Sequence, residues 1–244
     1  MEGASAYDAQ PLLLEGVVPS LRKIPSKPAR LADQVYARLM EAILDGTIAQ
    51  GDRLIQENLA EELAVSRTPV REALLRLETE GVLEKVGRKG FVVKTIDEKM
   101  VRSIYQAREA VEGYAAHVVA ERASAKVVDR LEAKMRKLGP TSNIQSAYEA
   151  NRLAHRAIVE ATGNDYMVEL FDAIWGRSIA LRIYADLWAT ENEHRPVIDN
   201  HYEILEALRT GDGTRAAKVM IEHIRDGLDQ QIAVLASRVP ARAE

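Results

Sequence analysis

The sequence predicts a mainly α-helical protein in two parts: three helices with a two-stranded hairpin, then an antiparallel bundle of about six helices. Two observations support this prediction. Apolar residues recur at helical spacing from Leu31 almost to the end of the chain. One pair of short valine-containing runs, at 82–86 and 91–94, is joined by a glycine-rich turn. No strand pattern follows Asp97, so the second part is expected to be all helical.

The first part contains three predicted helices. The first begins at Leu31 and ends before Gly46, because glycine readily adopts the left-handed conformation that closes a helix. The second covers residues 54–63. In the third we expect Thr68 as the N-cap and Pro69 as the first helical residue, where its missing N–H costs nothing.

The second part contains about six predicted helices, separated by turns that contain glycine. The first is long and can be capped by Asp97. The others fall at residues 125–138, 143–161, 165–189, 192–210 and 213–237. The resulting organisation is a flexible arm, a first domain, a helical domain and a flexible tail, at residues 1–28, 29–96, 97–237 and 238–244.

The composition excludes several classes of protein. The chain has 244 residues, of which 47% are hydrophobic, which is enough for a core and too many for a disordered chain. It has no cysteine, which excludes a disulfide scaffold, a thiol nucleophile and any zinc site built on cysteine. The N-terminus lacks a signal-peptide pattern, and no apolar stretch approaches the roughly 18 residues that span a bilayer. We therefore expect a cytoplasmic protein with no membrane partner.

Positive charge is concentrated in one segment of an acidic chain. The formal net charge is -4, which argues against a protein that coats nucleic acid without specificity. Residues 67–94, however, hold seven basic and four acidic side chains. The hydroxyl and basic side chains at the start of the third helix and at the hairpin tip are Ser66, Arg67, Thr68, Arg71, Arg88 and Lys89.

Three helices, a tight turn before the third and a hairpin form the winged helix-turn-helix arrangement. Its third helix enters the major groove with its N-terminal residues against the base edges. Arginine makes paired hydrogen bonds to guanine, and serine and threonine hydroxyls reach phosphates. The alternative is that Arg67 and Arg71 are ordinary solvated residues, although a basic residue at a helix N-terminus opposes the helix dipole. The pattern therefore favours double-stranded DNA as a partner.

Three histidines lie on three different predicted helices of the second part. His155, His201 and His223 have aliphatic neighbours, so we expect their side chains to point into the bundle. Asn151 precedes His155 by four residues and shares its helix face. Three imidazoles and an amide oxygen that converge can bind a divalent metal. The alternative is that each histidine is an ordinary core or surface residue.

A long motif runs through the second and third helices and the wing. Its residues are Leu59-Ala60-Glu61-Glu62-Leu63, Val65-Ser66-Arg67-Thr68-Pro69-Val70-Arg71-Glu72-Ala73-Leu74, Arg76-Leu77, Glu80-Gly81 and Arg88-Lys89-Gly90. With this motif, the first part resembles the GntR family of bacterial transcription regulators. The resemblance implies that Arg67, Thr68 and Arg71 read an operator, that Gly90 approaches the DNA backbone, and that a homodimer binds a palindromic site. The family's wing turn begins with proline and arginine, and Gly87 departs from that pattern.

A second motif lies in the helical part. Its residues are Asn151-Arg152-Leu153-Ala154-His155, Ala161-Thr162-Gly163-Asn164, Asn200-His201, Gly211-Asp212 and Glu222-His223. It is similar to the ligand-binding domain of the FadR branch of that family, whose metal-binding members use an aspartate and three histidines. The resemblance implies a divalent metal, zinc or nickel first and manganese as an alternative, on Asn151, His155, His201 and His223. Asn151 replaces the aspartate and removes a negative charge, so metal affinity should fall and an anion becomes easier to hold.

The run from Tyr105 to Glu112 matches the first helix of the same family domain. The resemblance implies that Arg108, with Tyr105 beside it, faces the cavity and clamps the carboxylate of an effector. Family effectors are commonly small organic or sugar acids. The alternative for Arg108 is a salt bridge with Glu112, four residues further along the helix.

The motifs together predict a ligand-responsive transcription regulator that acts as a repressor and is not an enzyme. Effector binding would change operator affinity by favouring one arrangement of the dimer. One alternative is a constitutive DNA-binding protein whose bundle serves only for dimerisation. Another is a hydrolase in which a histidine-bound metal activates water, but no His-Glu-x-x-His spacing supplies its general base.

Overall fold

The computed structural model describes residues 31–87, 90–139, 143–188 and 197–238. The predicted arm at 1–28, the wing-tip residues Arg88 and Lys89, and residues 239–244 of the predicted tail lie outside these ranges. Within them, the prediction of a mainly helical chain with a winged helix-turn-helix followed by a helical bundle is confirmed.

The described residues form two regions. The winged region contains α1 (Leu31–Leu44), β1 (Arg53–Ile55), α2 (Gln56–Glu62), α3 (Arg67–Thr79), β2 (Leu83–Val86) and β3 (Gly90–Val93). The bundle contains α4 (Glu98–Arg122), α5 (Ala125–Arg136), α6 (Ile144–Glu160), α7 (Asp165–Trp175), α8 (Ser178–Trp188), α9 (Val197–Arg209) and α10 (Gly213–Arg238).

The winged region has its own core beneath a small sheet. Val70, Leu74 and Leu77 lie on the inner face of α3 and are fully buried. The sheet has the order β1-β3-β2, so the predicted hairpin gains a third strand. Leu54 of β1 lies opposite Phe91 of β3, and both side chains are buried. This cross-strand pair explains why the start of the predicted second helix is a strand instead, with α2 beginning at Gln56.

The structure has the predicted N-cap at α4 but a different one at α3. Asp97 caps α4 as predicted, since its Oδ1 accepts a hydrogen bond from the Met100 N–H at 2.7 Å. The N-cap of α3 is Ser66, with extended backbone, and the prediction of Thr68 was wrong. Pro69 therefore falls later in the first turn. It is tolerated there because N–H groups of the first turn have no partner within the helix.

The bundle has seven helices among its described residues, because the helix predicted at 165–189 is divided into α7 and α8. Gly176 ends α7, and its N–H donates to the Asp172 carbonyl at 2.7 Å. A Cβ at position 176 would lie 2.5 Å from the same carbonyl oxygen, so the tight end of the helix requires glycine. Among the described helices, none combines the length and the apolar character needed to span a membrane.

Helix α8 connects the two regions through apolar and polar contacts. Leu181 packs against the winged core and also against the cluster of Phe171 and Trp175 in the bundle. Arg182 is buried and donates a hydrogen bond to the Lys94 carbonyl at 2.6 Å, at the end of the wing. The winged region is therefore held to α8 by the packing of Leu181 and by the hydrogen bond from the Arg182 side chain to a backbone carbonyl.

A hydrogen-bonded cluster strengthens this connection at the start of α8. The Ser178 hydroxyl lies 2.6 Å from the Tyr36 hydroxyl of α1 and also contacts the Glu80 carboxylate. Tyr36 donates to Glu80 Oε2 at 2.5 Å. Arg76 donates from Nε to Glu80 Oε1 at 2.9 Å and stacks on the Tyr36 ring. The cluster is half-buried and ties α1 and the end of α3 to α8.

Neighbouring leucines on α3 allow a matched test of the winged core. Leu74→Ala should reduce the free energy of unfolding by about 2–5 kcal/mol, since it leaves a cavity at a fully buried side chain. Leu75 is 37% exposed, so Leu75→Ala should change the free energy of unfolding by less than about 1 kcal/mol. Urea unfolding monitored by circular dichroism measures both values. Equal losses in the two variants would contradict the assignment of the inner face.

Candidate functional site

Three histidines from three helices meet inside the bundle. His155 lies on α6, His201 on α9 and His223 on α10. The Nε2 atoms of His155 and His201 are 2.9 Å apart, and the His223 ring centroid is 4.7 Å from that of His201. His155 and His201 are buried, and His223 is partly buried. We name this cluster the histidine triad.

The triad has a geometry that suits a divalent metal. A tetrahedral zinc with nitrogen ligands at about 2.0–2.1 Å places those nitrogens roughly 3.3 Å apart. One nitrogen from each histidine lies within 4.8 Å of the others, so small side-chain movements would reach that separation. Burial lowers the pKa of His223 to about 3 and keeps its imidazole in the neutral form that binds metals. The residues present therefore fit the metal implied by the sequence.

Asn151 was predicted as a fourth ligand from its spacing to His155. It lies one turn before His155 on α6 and is partly buried. Its contact with a metal stays a prediction.

A buried carboxylate supports the triad. Glu112 of α4 is 1% exposed, and its Oε2 lies 2.6 Å from Nδ1 of His155. Its Oε1 accepts hydrogen bonds from Arg108 Nε at 3.0 Å and from Trp175 Nε1 at 2.8 Å. Because Nδ1 of His155 faces the carboxylate, Nε2 is the nitrogen that faces the triad. A carboxylate behind a ligating histidine is the usual arrangement at metal sites.

Glu112 is held in its charged form by its neighbours. Burial alone would raise its pKa, but the charge of Arg108 and the hydrogen-bond contacts with His155 and Trp175 outweigh burial and lower the pKa to about 2. The salt bridge considered as an alternative for Arg108 is therefore present, in the interior of the protein. The Arg108 guanidinium also stacks on Trp175 and Tyr105, at 4.3 and 4.8 Å from their ring centroids.

Arg108 and Tyr105, the predicted effector residues, line a cavity between α4, α6, α7 and α8. The cavity has a volume of about 30 Å³. Its other lining residues include Ile104, Trp175, Ile183 and Tyr184. None of the three histidines is among the described residues that line it. Trp175 lies against both sites, since its ring is 5.4 Å from that of His155.

The predicted DNA-contacting residues of α3 lie on an exposed surface. Ser66, Arg67, Thr68 and Arg71 are all exposed at the start of the helix. Arg67 is 3.2 Å from Glu57 of α2, across the turn that joins the two helices. Arg71 forms no ion pair with any residue that the structure describes, which leaves its charge available to a partner.

Gly90 has a structural explanation within the wing. It opens β3 and is buried, although the sequence predicted that it approaches DNA. A Cβ at this position would lie 3.1 Å from the Val86 carbonyl and 3.2 Å from Arg53 Nε. These internal contacts account for the glycine, and its approach to DNA stays a prediction. Arg88 and Lys89 lie outside the described residues.

Sequence reasoning missed two residues of the site. Trp175 was not singled out, and Glu112 was considered only as a partner of Arg108. Trp175 is 63 positions from Glu112, so no local periodicity connects them. The available signal was the position of Glu112, seven residues after Tyr105 and therefore on the same inner face of α4.

Comparisons with known proteins agree with the fold and the order of the two regions. The profile of the bacterial regulatory proteins of the gntR family matches residues 31–93, and that of the FCD domain matches residues 103–226. The Uxu operon regulator of Haemophilus influenzae is 29% identical over 216 residues, which cover 80% of this chain and 81% of that protein. The Nta operon transcriptional regulator of Aminobacter aminovorans is 29% identical over 189 residues, which cover 78% and 89%.

A solved structure also has a similar fold. The structure of McbR/YncC from E. coli aligns with a TM-score of 0.55 and 24% sequence identity, over 84% of this chain and 99% of that one. This likeness extends through both the winged region and the bundle.

Two glutamates on α4 provide a test of the buried network. Glu112→Gln should destabilise the protein by about 3–5 kcal/mol, because it leaves the buried Arg108 charge without its partner. Glu98 pairs with Arg102 on the exposed face of the same helix, so Glu98→Gln should cost less than about 1 kcal/mol. Chemical unfolding at neutral pH compares the two variants. A small loss for Glu112→Gln would show that Arg108 does not depend on this carboxylate.

Proposed function

The chain belongs to the GntR family of bacterial transcription regulators and carries an FCD domain, and from this premise we propose that it is a ligand-responsive repressor. In this proposal a homodimer binds a palindromic operator, and the FCD domain senses a small anionic metabolite beside a bound metal. Proteins of this family are regulators and not enzymes, so the hydrolase alternative is set aside. The observation that carries the proposal is that α8 lines a buried cavity beside Arg108 and also contacts the winged region through Ser178 and Arg182.

Operator recognition is assigned to the start of α3. Its exposed Arg67 and Arg71 and the hydroxyls of Ser66 and Thr68 are placed to contact base edges and phosphates of the major groove. Arg76 has a different role, because it is engaged with Glu80 and Tyr36 at the junction with the bundle. Specific reading is therefore assigned to the N-terminal turn of the helix.

The metal is assigned to the histidine triad, with zinc as the expected ion and nickel or manganese as alternatives. Its support is the convergence of the three imidazoles and the carboxylate behind His155. A bound metal would supply positive charge at the triad, which an anionic ligand can use. The chain itself orients His155 through Glu112 and keeps the triad away from solvent.

Communication between ligand and DNA is assigned to α8. Ile183 and Tyr184 of this helix line the cavity, while Ser178 and Arg182 bind the winged region. A ligand that alters the position of α8 must therefore alter contacts with α1 and the wing. Operator affinity changes by the difference in ligand affinity between the two arrangements.

Arg71 provides the test of operator recognition. Arg71→Ala should weaken binding to operator DNA, selected from a random-sequence pool, by about 1–3 kcal/mol, because it removes a base-edge or phosphate contact. Arg136→Ala on α5 removes the same charge from an exposed arginine paired with Glu132 and should leave affinity nearly unchanged. Fluorescence anisotropy at fixed salt measures both. Equal effects would indicate a general loss of charge rather than a specific contact.

Zinc binding provides the test of the triad. The unmodified protein should bind about one zinc per chain, and His201→Ala should weaken binding by a hundredfold or more, since it removes one of few ligands. His117 lies on α4 outside the triad, beside Glu121, so His117→Ala is the control. Isothermal titration and elemental analysis of the purified proteins provide the readout. Stoichiometric zinc in His201→Ala would contradict the assignment.

A further inference from the structure

We propose that the effector is an apolar monocarboxylate, with an alkyl or aromatic body, which occupies the cavity between α4, α6, α7 and α8. Its carboxylate binds Arg108, and its body lies among the apolar side chains. This inference rests on the proposed function and narrows the class of effector. The resemblance to the family implied either a small organic acid or a sugar acid.

The lining of the cavity is almost entirely apolar or aromatic. Ile104, Ile174 and Ile183 contribute aliphatic surface, and Ala180 leaves room at the α8 wall. Tyrosine and tryptophan rings complete the wall. Such a surface favours a hydrocarbon body because burial removes apolar area from water on both sides.

Polar groups in the lining are few, and Trp175 Nε1 already donates a hydrogen bond to Glu112. Arg108 is the one charged residue among the described lining residues. The Tyr148 hydroxyl donates to the Trp175 carbonyl, and burial raises the pKa of Tyr148 above its usual value, so it stays neutral. A sugar acid would bury several hydroxyls with few partners. Each hydroxyl left without a hydrogen bond lowers affinity by about tenfold.

Arg108 is positioned to bind one carboxylate. Its Nε donates to Glu112, and its guanidinium lies against the Tyr105 and Trp175 rings. These contacts fix the plane of the guanidinium, and the Arg108 side chain also lines the cavity. A planar guanidinium that is held in place can give a carboxylate two parallel hydrogen bonds.

The size of the cavity determines how such a ligand is accommodated. A volume of about 30 Å³ holds little more than one water molecule. An acid with six carbons therefore has to displace wall side chains, and Ile183 and Tyr184 belong to α8. Occupancy would thus act on the helix that holds Ser178 against Glu80.

Matched acids test the ligand class on the full chain. Hexanoate and gluconate share a carbon skeleton and differ in the hydroxyls, and benzoate and benzamide differ in the charge. We expect hexanoate or benzoate to bind at least tenfold more tightly than gluconate, and benzamide to bind at least tenfold more weakly than benzoate. Isothermal titration of the purified full chain, with and without added zinc, gives the affinities, and anisotropy with selected operator DNA gives the effect on DNA binding.

A cavity-filling variant tests the location. Ala180→Leu should weaken binding of the preferred acid by at least tenfold, whereas Ala233→Leu, on an exposed position of α10, should not. Acid binding that is unchanged in Ala180→Leu would overturn the assignment to this cavity.

The remaining outcomes separate this inference from the proposed function. If gluconate binds as tightly as hexanoate and also changes operator affinity, the ligand class is wrong and the ligand-responsive regulator stands. If no acid binds and operator affinity never changes, both the inference and the ligand-responsive function fail. If only the neutral benzamide binds, the role of Arg108 is overturned.

Discussion

The buried carboxylate of Glu112 is the constraint on which the rest of the bundle's chemistry depends. Its oxygens meet Arg108 of its own helix, His155 of α6 and Trp175 of α7. A charge removed from water has to be compensated, so the three helices are held where each partner reaches the carboxylate. One side chain therefore fixes the orientation of His155 in the triad and the position of Arg108 at the cavity.

This arrangement places two sites next to each other without merging them. Trp175 contacts the triad on one side and lines the cavity on the other. Helix α8 forms part of the cavity wall, and its residues Ser178 and Arg182 contact Tyr36 and the Lys94 carbonyl. A path of direct contacts thus runs from the cavity through α8 to α1 and the wing. In the proposed switch, α8 is the element that both the cavity and the winged region can influence.

The sequence predicted those features that local pattern controls. Helical periodicity located most helices, and the inward positions of His155, His201 and His223 followed from their aliphatic neighbours. The break at Gly176 was missed because it depends on a close approach to a carbonyl oxygen. The roles of Glu112 and Trp175, and the apolar character of the cavity, depend on how separate helices pack, and no local spacing reports that packing.

The coupling between the cavity and the operator is tested most directly in the variant Ser178→Ala. This variant removes the hydroxyl that joins α8 to Tyr36 and Glu80, and it changes no residue of the cavity lining. Operator affinity is measured with and without the acid that binds most tightly, in the unmodified protein and in the variant. We expect the acid still to bind to the variant and its effect on operator affinity to fall severalfold. An unchanged effect in Ser178→Ala would contradict transmission through the start of α8.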